Sequence, residues 1–258
     1  MTSRIGVIAY NTFREAVRDR VLYNLIVFAL LMVASSFLFS QISIGIERLI
    51  LVNLGLTAIS VFGFVIATFI GIGLVSKEME KRTLYTILSR PLGRWEFILG
   101  KFFGLAGTLV VNVFLMALGF FAALLFQVRH FEAHDGWLLI ALYFIVLELV
   151  VITAIALLFS TYSSPLMSSV FTLAILIIGT FAEDLRAFAA MIDGFPRFIA
   201  MAAARLVPNF ASLNVISSVA HGQSIAPSLI FYNTLYAVLY TGAALAGAIL
   251  IFEHRNLK

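Results

Sequence analysis

Residues 76–101 read SKEMEKRTLYTILSRPLGRWEFILGK, and nine of these 26 residues are charged, six of them basic. Long uncharged apolar runs flank the stretch on both sides. A charged island between two runs of that kind is the mark of a loop between two membrane crossings. The fold follows from asking how many such crossings there are.

The chain has 258 residues, 62% of them hydrophobic and only 12% charged. A soluble domain carries about 25% charged residues, and no segment here has the composition to build one. A helix needs roughly 20 consecutive apolar residues to cross a bilayer. Uncharged runs meet that length at residues 21–46, 49–76, 102–128 and 227–252. Residues 137–182 contain a single charge, Glu148, and are too long for one crossing. The polar break TYSSP at 161–165 divides them, with Pro165 suited to the first turn of a new helix. The fold class expected is all-α: a polytopic membrane protein with six transmembrane helices in a single transmembrane domain over 1–258.

Charge then orients the spans. Basic residues accumulate on the cytoplasmic side of membrane helices. With six spans, one side collects Arg4, Arg14, Arg18, Arg20, Lys77, Lys81, Arg82, Arg90, Arg94, Lys101, Arg255 and Lys258. The other side has Arg48, Arg129, Arg186, Arg197 and Arg205. Twelve against five predicts that both termini and the island face the cytoplasm. The pI near 9.5 reflects these loops, and no nucleic-acid partner is expected. The chain has no cysteine, which excludes disulfides and thiolate metal sites.

The start of the chain does not read as a cleavable signal, which has a short basic start and a small-residue cleavage site. Ile5, Ile8, Ala9, Phe13, Ala16, Val17 and Val21 recur at helical spacing, with Arg4, Asn11, Glu15 and Arg18 away from them. The pattern predicts an amphipathic helix within 1–20 lying in the membrane interface. Inside the island, Leu84, Ile87 and Leu88 stand at i, i+3 and i+4, and Glu78 and Glu80 come early, where a helix dipole favours anions. Arg90, Pro91 and Gly93 close the helix with a turn before Arg94 and Trp95 lead into the next span. The expectation is a short cytoplasmic helix within 76–96, held between two spans. A charged loop with no partner, acting only as a topology signal, is the plain alternative.

The pattern Glu78-x-Glu80-x-x-Thr83-Leu84-x-x-x-Leu88-x-x-Pro91-x-x-Arg94-x-Glu96-x-x-x-Gly100-Lys101 resembles the cytoplasmic coupling segment of ATP-binding-cassette type 2 permeases. The likeness covers the whole chain: an amphipathic amino-terminal helix, six spans, a charged segment between the second and third, and a tight turn at FSTYSSP, 159–165. Short membrane-entering helices before the last span, here within 183–225, complete it. Many members of the family have glycine before the threonine, where this chain has Arg82. The resemblance implies a permease of an exporter, working as a homodimer or related heterodimer with two copies of a separate ATPase docked on the coupling segments. The implied contact residues are Glu78, Glu80, Lys81, Arg82, Thr83, Arg90, Pro91 and Arg94. Membrane lipid and an accessory membrane or periplasmic protein are further partners it allows. ATP and Mg belong to the partner ATPase, and no cofactor is expected in this chain. Gly100-Lys101 is no phosphate loop, since Trp95 stands where a glycine is required and Phe102 where Ser or Thr is.

Other signals are weaker. Glu148 is the only acid well inside a span, and an intramembrane charge is a pathway candidate by default; a structural contact is the alternative. His130 and His134 flank Glu132 with Asp135 next to it, but no second ligand pair is evident, so no metal site is expected. His221 and His254 are isolated. Gly100, Gly104, Gly107, Gly242, Ala246 and Gly247 are small residues that permit close helix packing. The alternative function is a mechanotransmitting or structural subunit of an envelope complex, driven by the same kind of ATPase without moving a solute. An intramembrane enzyme is disfavoured, because no His/Asp/Glu cluster meets inside the spans.

Overall fold

The computed structural model of the chain describes residues 2–17, 27, 28, 31, 32, 34, 47–80, 93–128 and 135–254. Every regular element among them is helical. In lipid this is forced, because a backbone amide has no water to bond and must be satisfied within its own segment. In chain order the elements are α1 (Thr2–Ala16), α2 (Glu47–Glu80), α3 (Arg94–Val128), α4 (Gly136–Ser160), α5 (Pro165–Thr180), α6 (Ala182–Met191), α7 (Phe195–Leu206), a 3-10 turn at Ala211–Leu213, α8 (Ile216–Ala220) and α9 (Pro227–His254). Four of these, α2, α3, α4 and α9, are long and apolar enough to cross a membrane. The pair α5 and α6, bent by 61° at Phe181, adds a fifth if counted as one crossing.

The expected first span, 21–46, lies largely outside the described residues. Within it residues 27, 28, 31, 32 and 34 are helical, and Phe28 and Met32 are buried. Phe28 packs edge-on against Phe62 of α2, with ring centres 6.0 Å apart.

The helix limits have local causes. Ser164 is extended and Pro165 opens α5, as a proline's fixed φ and missing N–H allow in a first turn. Gly194 and Gly222 adopt φ of 78° and 72°, a left-handed conformation that costs glycine little, and they separate the short helices between 182 and 227. Two limits differ from expectation. Helix α2 continues unbroken through residues 76–80, so Glu78 and Glu80 extend a spanning helix rather than open a separate one. No glycine or proline lies between Gly73 and Pro91 to stop it. Helix α3 begins at Arg94, about eight residues before the apolar run. At 34 and 35 residues, α2 and α3 are each about 50 Å long, against a hydrocarbon core of about 30 Å. Their charged excess lies at the ends that flank the island.

Helix α4 is the hub. Residues 151–157 are buried without a break, and α2, α3, α5, α8 and α9 all pack on it. A helix apolar on every side belongs in the middle of a bundle.

Helix α1, the expected amphipathic helix, packs against α3. Its stripe lies along α3, with Thr12 and Ala16 buried and Val7 and Tyr10 outward. Glycines of α3 make the room. A methyl group on Gly104 would sit 2.6 Å from the Ala9 carbonyl oxygen and 2.6 Å from Thr12 Cβ, and one on Gly100 would sit 2.6 Å from Ile8 Cβ. Small residues let helix backbones approach this closely in a membrane. Gly242 and Ala246, which the sequence pattern also offered for packing, are exposed on α9.

Gly104→Ala is therefore expected to destabilise, since the clash is partly with backbone that cannot yield. Overpacking of this kind costs about 1–3 kcal/mol, and the apparent unfolding midpoint should fall by roughly 2–12 °C. Gly242→Ala, with nothing within 4 Å of the new methyl, should leave the midpoint unchanged. Equal midpoints for the two variants in a detergent thermal-shift assay would contradict the α1 docking.

Candidate functional site

The island's own middle, 81–92, lies outside the described residues, so Lys81, Arg82, Thr83, Arg90 and Pro91 are not placed. What the fold shows is how the island's far edge is held. Gly93 opens α3 with a cap: its N–H donates to Glu96 Oε2 at 3.0 Å, and its carbonyl accepts from the Glu96 and Phe97 amides at 3.0 and 3.3 Å. This is one half of a capping box, an acid at the third helical position reaching back to the cap amide, with no side chain on glycine to return the bond. The Trp95 indole folds over Gly93, where an added Cβ would meet Nε1 at 2.8 Å. Glu96 and Lys101 are both buried, and Lys101 Nζ lies 5.7 Å above the centre of the Phe97 ring.

Arg94, one of the expected ATPase contacts, is engaged within its own chain. Its Nη1 donates to the Phe252 and Glu253 carbonyls near the end of α9, at 2.9 and 2.7 Å. The guanidinium carbon also lies 6.0 Å over the Phe252 ring, which stacks on Phe97 at 5.9 Å. Late helix carbonyls lack intrahelical partners, and a cation there also opposes the negative end of the helix dipole. Arg94 thus ties the island to α9.

The opposite end of the bundle has its own tie. Arg48 at the start of α2 donates to Asp135 at the start of α4. The pair belongs with the outer residues of the charge count, and Arg94 with the inner ones. Between the two ends lies Glu148 on α4. The Ser60 hydroxyl of α2 donates to its Oε2 at 3.3 Å, longer than the 2.7–2.8 Å usual for such a bond. One residue along, α2 and α4 touch closely, since a methyl on Gly63 would sit 2.4 Å from Leu149 Cδ1. Glu148 is only half-buried. Asn112 at mid-α3 is fully buried, and neither of its side-chain polar atoms has a hydrogen-bond partner among the described residues.

Sequence reasoning named Glu148 as a pathway candidate and Arg94 as an ATPase contact; it missed Asn112, the Arg48–Asp135 pair and the α9 end of Arg94's contacts. An asparagine in the middle of an apolar run was a visible signal. The partners were not, because they lie 87 and 158 positions away in the chain. Among the described residues no group of three or more His, Asp or Glu side chains gathers to hold a metal. His130, Glu132 and His134 lie outside them.

The family model for ABC-2 family transporter proteins matches residues 7–257 of this chain. No curated protein matches it.

Glu148→Gln keeps a hydrogen-bond partner for Ser60 and removes the charge. We expect unchanged expression and assembly, and a several-fold change in substrate-stimulated turnover together with a flattened pH profile. A variant that matches the parent at every pH would make Glu148 a packing residue.

Proposed function

The chain belongs to the ABC-2 family of transporter proteins, and from that membership we propose that this membrane permease subunit is the transmembrane half of an ATP-driven exporter. A separate ATPase subunit binds and hydrolyses ATP with Mg, two copies of it serving two copies of the permease. It docks on the island, through Glu78, Glu80, Lys81, Arg82, Thr83, Arg90 and Pro91. Arg94 acts as the anchor behind that surface rather than as part of it.

The observation that carries this reading is the mechanical setting of the island. It joins two helices that each outrun the membrane on its side, and its far edge is bolted to α9 through Arg94. A soluble subunit that moves such a segment moves helices α2, α3 and α9 with it. A loop serving only as a topology signal has no use for these ties.

Six crossings complete the architecture, with both termini and the island cytoplasmic in a prokaryotic plasma membrane. Buried Phe28 and Met32 support the first crossing. A methyl on Gly55 of α2 would meet Met32 Cε at 3.2 Å, and one on Gly119 of α3 would meet Phe28 Cε1 at 3.7 Å. Phe28 and Met32 therefore lie against α3 and α2. The grouping of Arg94 with the end of α9, opposite Arg48 and Asp135, agrees with the twelve-to-five distribution of basic residues.

Truncating one partner of a desolvated interfacial charge pair costs about 2–5 kcal/mol, roughly a 30- to 4000-fold loss of affinity. Glu78→Lys combined with Glu80→Lys should release the ATPase in co-purification and abolish coupled hydrolysis, with the bundle still folded. Lysines at Asp184 and Asp193, both exposed on the other side, should leave ATPase binding as in the parent. Retention of the ATPase with full turnover in the Glu78/Glu80 variant would sink the docking assignment.

A further inference from the structure

Helix α9 is held by side-chain bonds near its carboxyl-terminal end and along its amino-terminal half. At the island side, Arg94 spans the Phe252 and Glu253 carbonyls and covers the Phe252 ring. In the amino-terminal half, three residues of α9 grip the chain that leaves α7. Asn233 Nδ2 donates to the Ser212 carbonyl at 2.6 Å, the Asn209 amide donates to Tyr236 Oη at 2.8 Å, and Tyr240 Oη donates to the Leu206 carbonyl at 2.9 Å. Positions 233, 236 and 240 share one helix face. The gripped segment is itself stiff: the Ser212 hydroxyl donates to the Asn209 carbonyl at 2.8 Å, and the Phe210 amide to the Gly179 carbonyl at 3.1 Å, at the end of α5.

From residue 233 to residue 252 a helix rises about 28 Å, close to the hydrocarbon thickness of about 30 Å. No proline interrupts α9 after Pro227, and it packs along α4 and α3. A rigid rod of membrane length is thus bonded to the edge of the island at one end and to residues 206–212 at the other. The α6–α7 hairpin begins at the 61° bend after α5 and ends at Leu206, so both its ends meet the parts that α9 holds. The hairpin makes few contacts with the rest of the fold beyond these ends, which leaves it free to follow them.

We infer that α9 is a strut that carries displacement from the island, through Arg94, to the 206–212 segment and so repositions the α6–α7 hairpin on the far side of the membrane. The driving force rests on the ATPase docking proposed above, whereas the mechanical link is a property of this chain alone. Arg94, Asn233, Tyr236 and Tyr240 are positioning residues in this scheme. None of them has to touch cargo or ATPase.

The chain has no cysteine of its own, so a single spin label at Ala190→Cys, exposed on α6, reports on the hairpin. In nanodiscs with the ATPase bound, a non-hydrolysable ATP analogue should shift that label's spectrum in the parent. Arg94→Gln should keep the ATPase and lose most of the shift. Tyr236→Phe, which leaves the island untouched and removes one hydroxyl, should do the same from the other end, and Arg94→Lys should restore part of it. Parent-like shifts in both Arg94→Gln and Tyr236→Phe would overturn the strut. Hydrogen exchange on the permease without ATPase separates the two claims. Arg94→Gln should speed exchange at the Asn209, Phe210 and Ser212 amides by about tenfold or more. If the parent fails to retain an ATPase, the docking reading falls, and the exchange result alone decides: acceleration at 209–212 upholds the link, and a change confined to 93–97 and 250–254 removes it.

Discussion

Lipid cannot bond to a peptide group, and the whole molecule is organised by that constraint. Every described element is a helix because only a helix satisfies its own backbone within one segment. The packing order follows from where a helix can put its side chains. Helix α4, apolar on all sides, sits in the middle, and α2, α3, α5, α8 and α9 close around it. The charged groups of the described residues that lie against the bundle are met by polar partners: Arg48 by Asp135 at one end, Arg94 by two carbonyls at the other, and Glu148 by Ser60 between.

Association of helices in a membrane gains nothing from expelling water, so close contact has to supply the attraction. Glycine is how this chain achieves it. Gly100 and Gly104 admit α1 against α3, Gly63 admits Leu149, and Gly55 admits Phe120 with ring carbons 2.4 and 2.6 Å from where a Cβ would lie. The consequence for function is stiffness. Helices locked at this separation move as bodies.

Much of the architecture was legible in the sequence because it is local. Pro165 and Pro227 open their helices, the TYSSP break divides α4 from α5, and uncharged runs mark the spans that the described residues contain. Asn112, a polar residue within an apolar run, was there to be read as well. What could not be read was which distant surface each feature meets. The amphipathic stripe of α1 looks the same whether it faces lipid headgroups or the glycine face of α3. Its spacing predicts a buried face and says nothing of the cover. Arg94 carries the same ambiguity, since a basic residue at a membrane boundary serves equally as an anchor, a partner contact or a helix-end clamp. Glu78 and Glu80 were expected in a separate helix because the charge pattern changes at Ser76, but the backbone has no reason to break there.

The central claim is that the island between α2 and α3 is the surface on which a separate ATPase works. Lysine-directed crosslinking with mass spectrometry tests it on unmodified protein in its own membrane. The chain has four lysines, at 77, 81, 101 and 258, and Lys101 is buried. The account predicts that Lys77 and Lys81 crosslink to a nucleotide-binding ATPase subunit, at sites that cluster on one cleft of that subunit. Crosslinks from Lys77 and Lys81 to lipid-facing or extracytoplasmic proteins, or an ATPase found only on Lys258, would contradict it.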